Sequence, residues 1–217
     1  MKADSLRVGA RAILPLTPPA FAFGASFAVL AHAAGVGGLA ATVMSMTTFA
    51  GSAQVATVSI LGTGGGLAAA VVAALLLNAR YGAISVAIGP RFHGGVLRRL
   101  VESQLIVDES WAVSVGPDGQ IARRVLIGAG GTLWIFWTAG TVAGALAGGA
   151  IGDPNRLGLD GAFPALFLAL LAPQLRGRRA IAAAALGAAI AFVLIPFTPA
   201  GIPVVAAVAA CVVGWRR

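Results

Sequence analysis

Charge is scarce in this chain. Only seven of 217 residues are acidic, and all charged residues together make up 10%. A soluble domain carries about a quarter, so these residues cannot build an ordinary solvated surface. Cysteine is nearly absent: Cys211 stands alone, which excludes an internal disulfide framework. Histidine is almost as rare. His32 and His93 fall near predicted segment ends, and with one cysteine they give no metal cluster. No histidine falls in an apolar core to serve a serine nucleophile as base. Aspartyl chemistry needs two intramembrane aspartates, and only Asp108 is even a candidate. The residues therefore argue against an enzyme, and no cofactor motif stands out. Gly62-Thr-Gly-Gly-Gly66 lacks the Gly-Lys-Ser/Thr ending and the preceding strand of a phosphate loop.

Apolar residues, by contrast, make up 59% of the chain, with a mean hydropathy of +0.93 and thirty glycines. This is the composition of a polytopic, all-α integral membrane bundle. The net charge of +8 does not point to nucleic acid, because no basic stripe is interleaved with aromatics. The basic residues flank apolar segments instead: Lys2, Arg7 and Arg11; Arg91, Arg98 and Arg99; Arg123 and Arg124; Arg176, Arg178 and Arg179; Arg216 and Arg217. That pattern reports topology and predicts cytoplasmic termini in a multi-pass protein of the inner (cytoplasmic) membrane. Ala31-His32-Ala33 loosely resembles a signal cleavage site, but the preceding run is long and contains Pro15, Pro18 and Pro19. An uncleaved first helix is expected.

Residues 1–217 read as one permease domain, with a motif-bearing half at 9–121 and a helical half at 122–217. Segment one, Ala12 to Ala34, should kink or unwind at its prolines. Segment two is Leu39 to Leu61, and segment three is Leu67 to Ile88. A basic loop, Arg91 to Arg99, precedes a modestly apolar stretch, Leu100 to Val115, and a turn at Gly116-Pro-Asp-Gly119. Segment four, Val125 to Ile151, carries Gly140, Gly144 and Gly148 at four-residue spacing, a stripe suited to close helix contact. Its Trp134 and Trp137 read as packing residues. Segments five to seven are Ala162 to Leu175, Ala180 to Phe197 and Val204 to Trp215.

Segment two is the unusual one. Thr42, Ser45, Thr47, Thr48, Ser52, Gln54, Thr57 and Ser59 crowd it. In hydrocarbon each of these groups needs a partner, so the segment reads as the lining of a pathway or binding site. The basic loop at 91–99 falls outside if segment two crosses fully, and inside if it is broken or re-entrant. The positive flanks favour the second scheme, with 100–121 re-entrant or interfacial.

Several short motifs together resemble the AzlC family. These are Gly9-x5-Pro15 with Phe21-Ala-Phe-Gly24, Phe49-Ala-Gly-Ser-Ala-Gln54, Asn78-Ala-Arg80-Tyr81 leading to Gly89-Pro90, and Asp108-Glu109-Ser-Trp-Ala112. They span roughly Gly9 to Val115; the remainder matches in hydropathy and length. Two departures stand out. The chain has Ser-Ala-Gln54-Val55 where the family usually has Ala-Ser-Gln-Phe, and Tyr81 where it usually has His. The resemblance implies the large subunit of a two-component exporter of branched-chain amino acids, with a small AzlD-like partner. Export as a direction rests on the resemblance alone.

A zwitterionic substrate needs a cation or helix N-termini for its carboxylate, carbonyls or a carboxylate for its ammonium, and an apolar pocket. Arg80 is a candidate for the carboxylate, or else it snorkels or neutralises Asp108 or Glu109. Ser52 and Gln54 are candidates for hydrogen bonds to substrate, against the alternative of an interhelical clamp. Asn78 either binds substrate or caps unwound backbone. Asp108 or Glu109 is the candidate carrier of a coupling proton; at least one of them is expected to be simply solvated. Adjacent on a helix, the two point about 100° apart and do not suggest a paired acid/base site. A passive pore and a non-transporting scaffold remain the other readings.

Overall fold

The computed structural model describes residues 5–116, 120–151, 168, 171–172, 175, 177–198, 202–210 and 212, and leaves the side chains of 80, 83, 87, 148–151 and 204–205 undescribed. No β-strand occurs among the described residues; one isolated bridge pairs Val115 with Ile121. Segment five falls almost entirely outside them, as do the turn at 117–119 and the end of segment seven.

The frame is a pair of long helices. α1 (Leu6–Ile13) joins α2 (Thr17–Ala33) through a single 3₁₀ turn, Leu14–Leu16, where Pro15 sits. The prolines thus distort the segment without ending it, because Pro15, Pro18 and Pro19 all fall in first turns, where an amide hydrogen is not needed. α9 (Arg123–Ile151) lies against both. Leu6–Ala33 and Arg123–Ala147 are long and apolar enough to cross a membrane.

Glycines set the spacing of this pair. A Cβ on Gly9 would stand 2.0 Å from the Val125 carbonyl oxygen, one on Gly140 2.1 Å from that of Phe21, and one on Gly144 2.2 Å from that of Ala25. Backbone therefore touches backbone, as the glycine stripe predicted. Gly148 belongs to the positions left undescribed. The contacts advance together along both helices, from 9 with 125 to 25 with 144, so the two run parallel. Their starts, with Arg7, Arg11, Arg123 and Arg124, lie at one end.

Segment two is broken and folds back. α3 (Gly38–Thr47) begins beside Ala145 and descends until Met46 meets Trp134. α4 (Gly51–Gly62) begins beneath Trp137 and ends beside Ala34. Both ends of the α3–α4 hairpin thus lie at the far end of the α2–α9 pair. Its tip, residues 48–50, stops beside Leu133 and Trp137, near the middle of α9. α5 (Leu67–Asn78) and α6 (Arg80–Ile88) then lead back to the basic end, separated by a break at Ala79. There Arg91 donates to the Ile121 carbonyl at 3.1 Å, and Ile88 and Phe92 pack with Ile106 and Leu126. Segment three is therefore two helices rather than one.

α7 (Val96–Ser103) and α8 (Asp108–Ser114) occupy the stretch expected to be re-entrant or interfacial. α7 exposes Val96, Leu97, Leu100 and Val101 on one side. On the other, the buried Glu102 accepts from Arg98 at 2.9 Å and from Arg123 Nε at 3.0 Å. The hydrogen bonds from Arg123 hold the Glu102 carboxyl below its usual range, outweighing the opposite pull of burial. α10 (Arg178–Leu194) and α11 (Ile202–Ala207) pack on each other, and α11 touches α5.

Candidate functional site

A cavity of about 240 Å³ opens at the hairpin tip. Its apolar wall comes from Leu16, Pro19, Ala20 and Phe23 of the first segment, Phe49 and Gly51 of the tip, Val107, and Leu133 and Trp137 of α9. Its polar groups are Ser52, Tyr81, Asp108 and Glu109. Five parts of the chain that are far apart in sequence converge here because the hairpin stops halfway.

The tip is built under strain. Phe49 has φ +40, a left-handed conformation that a bulky residue rarely adopts. Such a residue costs about 1–3 kcal/mol and persists only when its surroundings fix it. Here the Phe49 ring is buried in the main apolar cluster with Phe27, Leu133 and Trp137. Gln54 closes the break: its Oε1 accepts the Ala50 amide at 3.2 Å, and its Nε2 donates to Ser45 Oγ at 2.9 Å. Ser45 Oγ also accepts the Trp137 indole N–H at 3.1 Å and lies 2.9 Å from Thr141 Oγ1. Thr141 Oγ1 donates to the Trp137 carbonyl at 3.0 Å, so the Ser45 hydroxyl proton goes to Thr141. The end of α3 is held in the same way. Trp134 Nε1 donates to the Met46 carbonyl at 3.1 Å, and the Gln104 amide donates to that of Thr47.

Asp108 and Glu109 reach the cavity through a second close approach. A Cβ on Gly130 would stand 2.0 Å from the Leu105 carbonyl oxygen, so the loop before α8 rests on the backbone of α9. Ser110, fully buried, accepts the Val107 amide at 2.9 Å and fixes the start of α8. Both acidic residues then line one cavity, although neighbours on a helix diverge by about 100°.

The six expected site residues separate into groups. Ser52, Asp108 and Glu109 line the cavity together. Gln54 is fully buried, outside the lining, with both ends of its amide engaged in the clamp. Asn78 closes α5 at the break; its Oδ1 is buried and has no hydrogen-bond partner among the described residues. Arg80 opens α6 beside the cavity-lining Tyr81, and its side chain lies outside the described set. Part of the polar crowd of segment two is satisfied locally. Thr42, Thr47 and Thr57 return hydrogen bonds of 2.8–2.9 Å to carbonyls one turn back. Among those eight residues only Ser52 lines the cavity. Trp137 as cavity wall and Ser45 as hydrogen-bond hub leave no signal in the sequence, because neither a wall nor a hub has a spacing signature.

A protein of Archaeoglobus fulgidus described as an "Uncharacterized membrane protein" is 32% identical over 207 residues, covering 94% of this chain and 90% of its own. No solved structure matches. The model of the AzlC protein family matches residues 15–151, which include α2, α9, the broken hairpin and every lining residue of the cavity. This membrane protein belongs to the AzlC family.

Proposed function

We propose that this chain is the substrate-carrying subunit of a secondary transporter. It exports branched-chain and similar apolar amino acids across the cytoplasmic membrane, coupled to protons and working with a small AzlD-like membrane subunit. The observation that carries this reading is the cavity at the hairpin tip, an apolar chamber whose lining also includes two acidic side chains and the hydroxyl-bearing Ser52 and Tyr81. A bilayer site for a small apolar zwitterion needs those elements, and irregular backbone at membrane depth is tolerated where it lines a cavity.

In this reading the apolar wall receives the side chain, and Asp108 or Glu109 receives the ammonium. Ser52 and Arg80 receive the carboxylate. One of the two acids also carries the coupling proton. Asn78 marks a second contact at the α5–α6 break, supported by its buried Oδ1, which has no hydrogen-bond partner among the described residues. Gln54 contributes by shaping the break. Tyr81, which departs from the family pattern, lies in the wall and biases which substrate is preferred. The parallel frame gathers Arg7, Arg11, Arg91, Arg98, Arg123 and Arg124 at one end, which favours that end as cytoplasmic. The hairpin then enters from the opposite side, and α7 lies at the cytoplasmic interface with its apolar face toward lipid.

The test is release of labelled leucine, valine and methionine from preloaded cells that express the chain with and without its small partner. Saturable, stereoselective release that needs the partner and collapses with a protonophore supports the proposal. Unsaturable release of unrelated small solutes identifies a passive pore instead.

A further inference from the structure

We infer that Trp137 decides which amino-acid side chains the cavity admits, and that Ser45 is a positioning residue that holds the indole in place. This deepens the proposed function and rests on that reading of the cavity.

The indole is fixed on three sides. Its N–H donates to Ser45 Oγ at 3.1 Å. It stacks on the fully buried Phe27, with ring centroids 6.3 Å apart and planes inclined by 26°. The far edge of its six-membered ring rests on Gly51, where an added Cβ would stand 2.8 Å from Cη2. What remains of the ring is cavity wall. Ser45 in turn has no freedom: its two lone pairs take Gln54 Nε2 and the indole N–H, and its proton goes to Thr141. A large apolar surface held this way sets a fixed limit on side-chain size. Pockets of this kind discriminate by about 10–200-fold per methylene.

Two substitutions move the limit in opposite directions. Trp137→Leu enlarges the chamber and favours large side chains. Gly51→Ala adds a methyl to the lining, presses on the ring and favours small ones. Ser45→Ala releases the indole and relaxes discrimination without changing the residues of the wall. In a Trp137→Phe background no N–H remains to be held, so adding Ser45→Ala changes selectivity less than it does in the wild type, the remainder reflecting the lost Gln54 bond. A role for Ser45 confined to stability would show no such dependence.

The experiment measures displacement of labelled leucine from membranes containing the full chain and its small partner, using unlabelled alanine, valine and phenylalanine as competitors. The inference predicts at least a tenfold shift toward phenylalanine in Trp137→Leu. It predicts a shift toward alanine in Gly51→Ala, which keeps the test open if the larger change prevents folding. Wild-type membranes that bind no amino acid would overturn the transport reading itself. Wild-type binding with the same competition order in Trp137→Leu and Gly51→Ala would overturn this inference alone.

Discussion

Gln54 Nε2 donates to Ser45 Oγ at 2.9 Å, joining α4 to α3 across a break of three residues. This bond, with the Ala50 amide on Gln54 Oε1 at 3.2 Å, holds the hairpin tip where the cavity needs it. Removing the amide leaves a buried backbone N–H without its acceptor, at a cost of about 1–3 kcal/mol. Gln54→Ala should therefore lower the thermal midpoint in detergent and reduce transport while membrane insertion is retained. An unchanged midpoint would show that water or backbone movement replaces the clamp.

The parallel frame tolerates nothing larger than glycine at its contacts. Gly140→Leu places a Cβ about where only 2.1 Å separates it from the Phe21 carbonyl oxygen, and the helices must part. A loss of at least about 3 kcal/mol is expected, read as poor yield of monodisperse protein. Gly82→Ala, with nothing within 4 Å of the added carbon, serves as the control and should behave like the wild type.

Glu102 makes part of the stability depend on pH. Its carboxyl is held below the usual range, chiefly by Arg123, so the folded state favours the ionised form. That contribution is fully present above the unfolded carboxylate's pKa and is lost as pH falls through the lowered, folded value. Glu102→Gln should lower stability at neutral pH and flatten its decline in acid. Thermal unfolding from pH 7 down to pH 3 checks both; parallel curves for variant and wild type would contradict the assignment.

Under the proposed function, Arg80→Ala, Asp108→Asn and Glu109→Gln should separate binding from coupling. Arg80→Ala should weaken leucine binding with normal insertion. Of the two acid variants, the one that carries the proton should retain exchange of internal for external leucine and lose net release driven by the proton gradient. Undiminished transport by Arg80→Ala would remove that residue from the site.

Much of the frame was legible from residues alone. Proline placement indicated the distorted first segment, and the Gly140–Gly144 stripe indicated close packing. The positive flanks favoured a fold-back scheme, and the α3–α4 hairpin folds back. The division of labour within the polar segment was not legible. A hydroxyl that returns to its own helix, such as Thr57, and one that reaches a cavity, such as Ser52, look alike in a sequence. Only the three-dimensional path decides between them. Phe49 in a left-handed conformation was equally hidden, because the usual signals for that geometry are Gly and Asn. The shared cavity of Asp108 and Glu109 depends on how Leu105 rests against Gly130, a contact between residues distant in sequence.

The most direct test of the account places the purified chain and its proposed small partner in liposomes loaded with labelled L-leucine or D-leucine, with and without an imposed proton gradient. The account predicts saturable release of L-leucine, much slower release of the D-isomer, acceleration by the gradient, and loss of that acceleration when both Asp108 and Glu109 are neutralised. Equal release of both isomers, indifferent to the gradient, would contradict it.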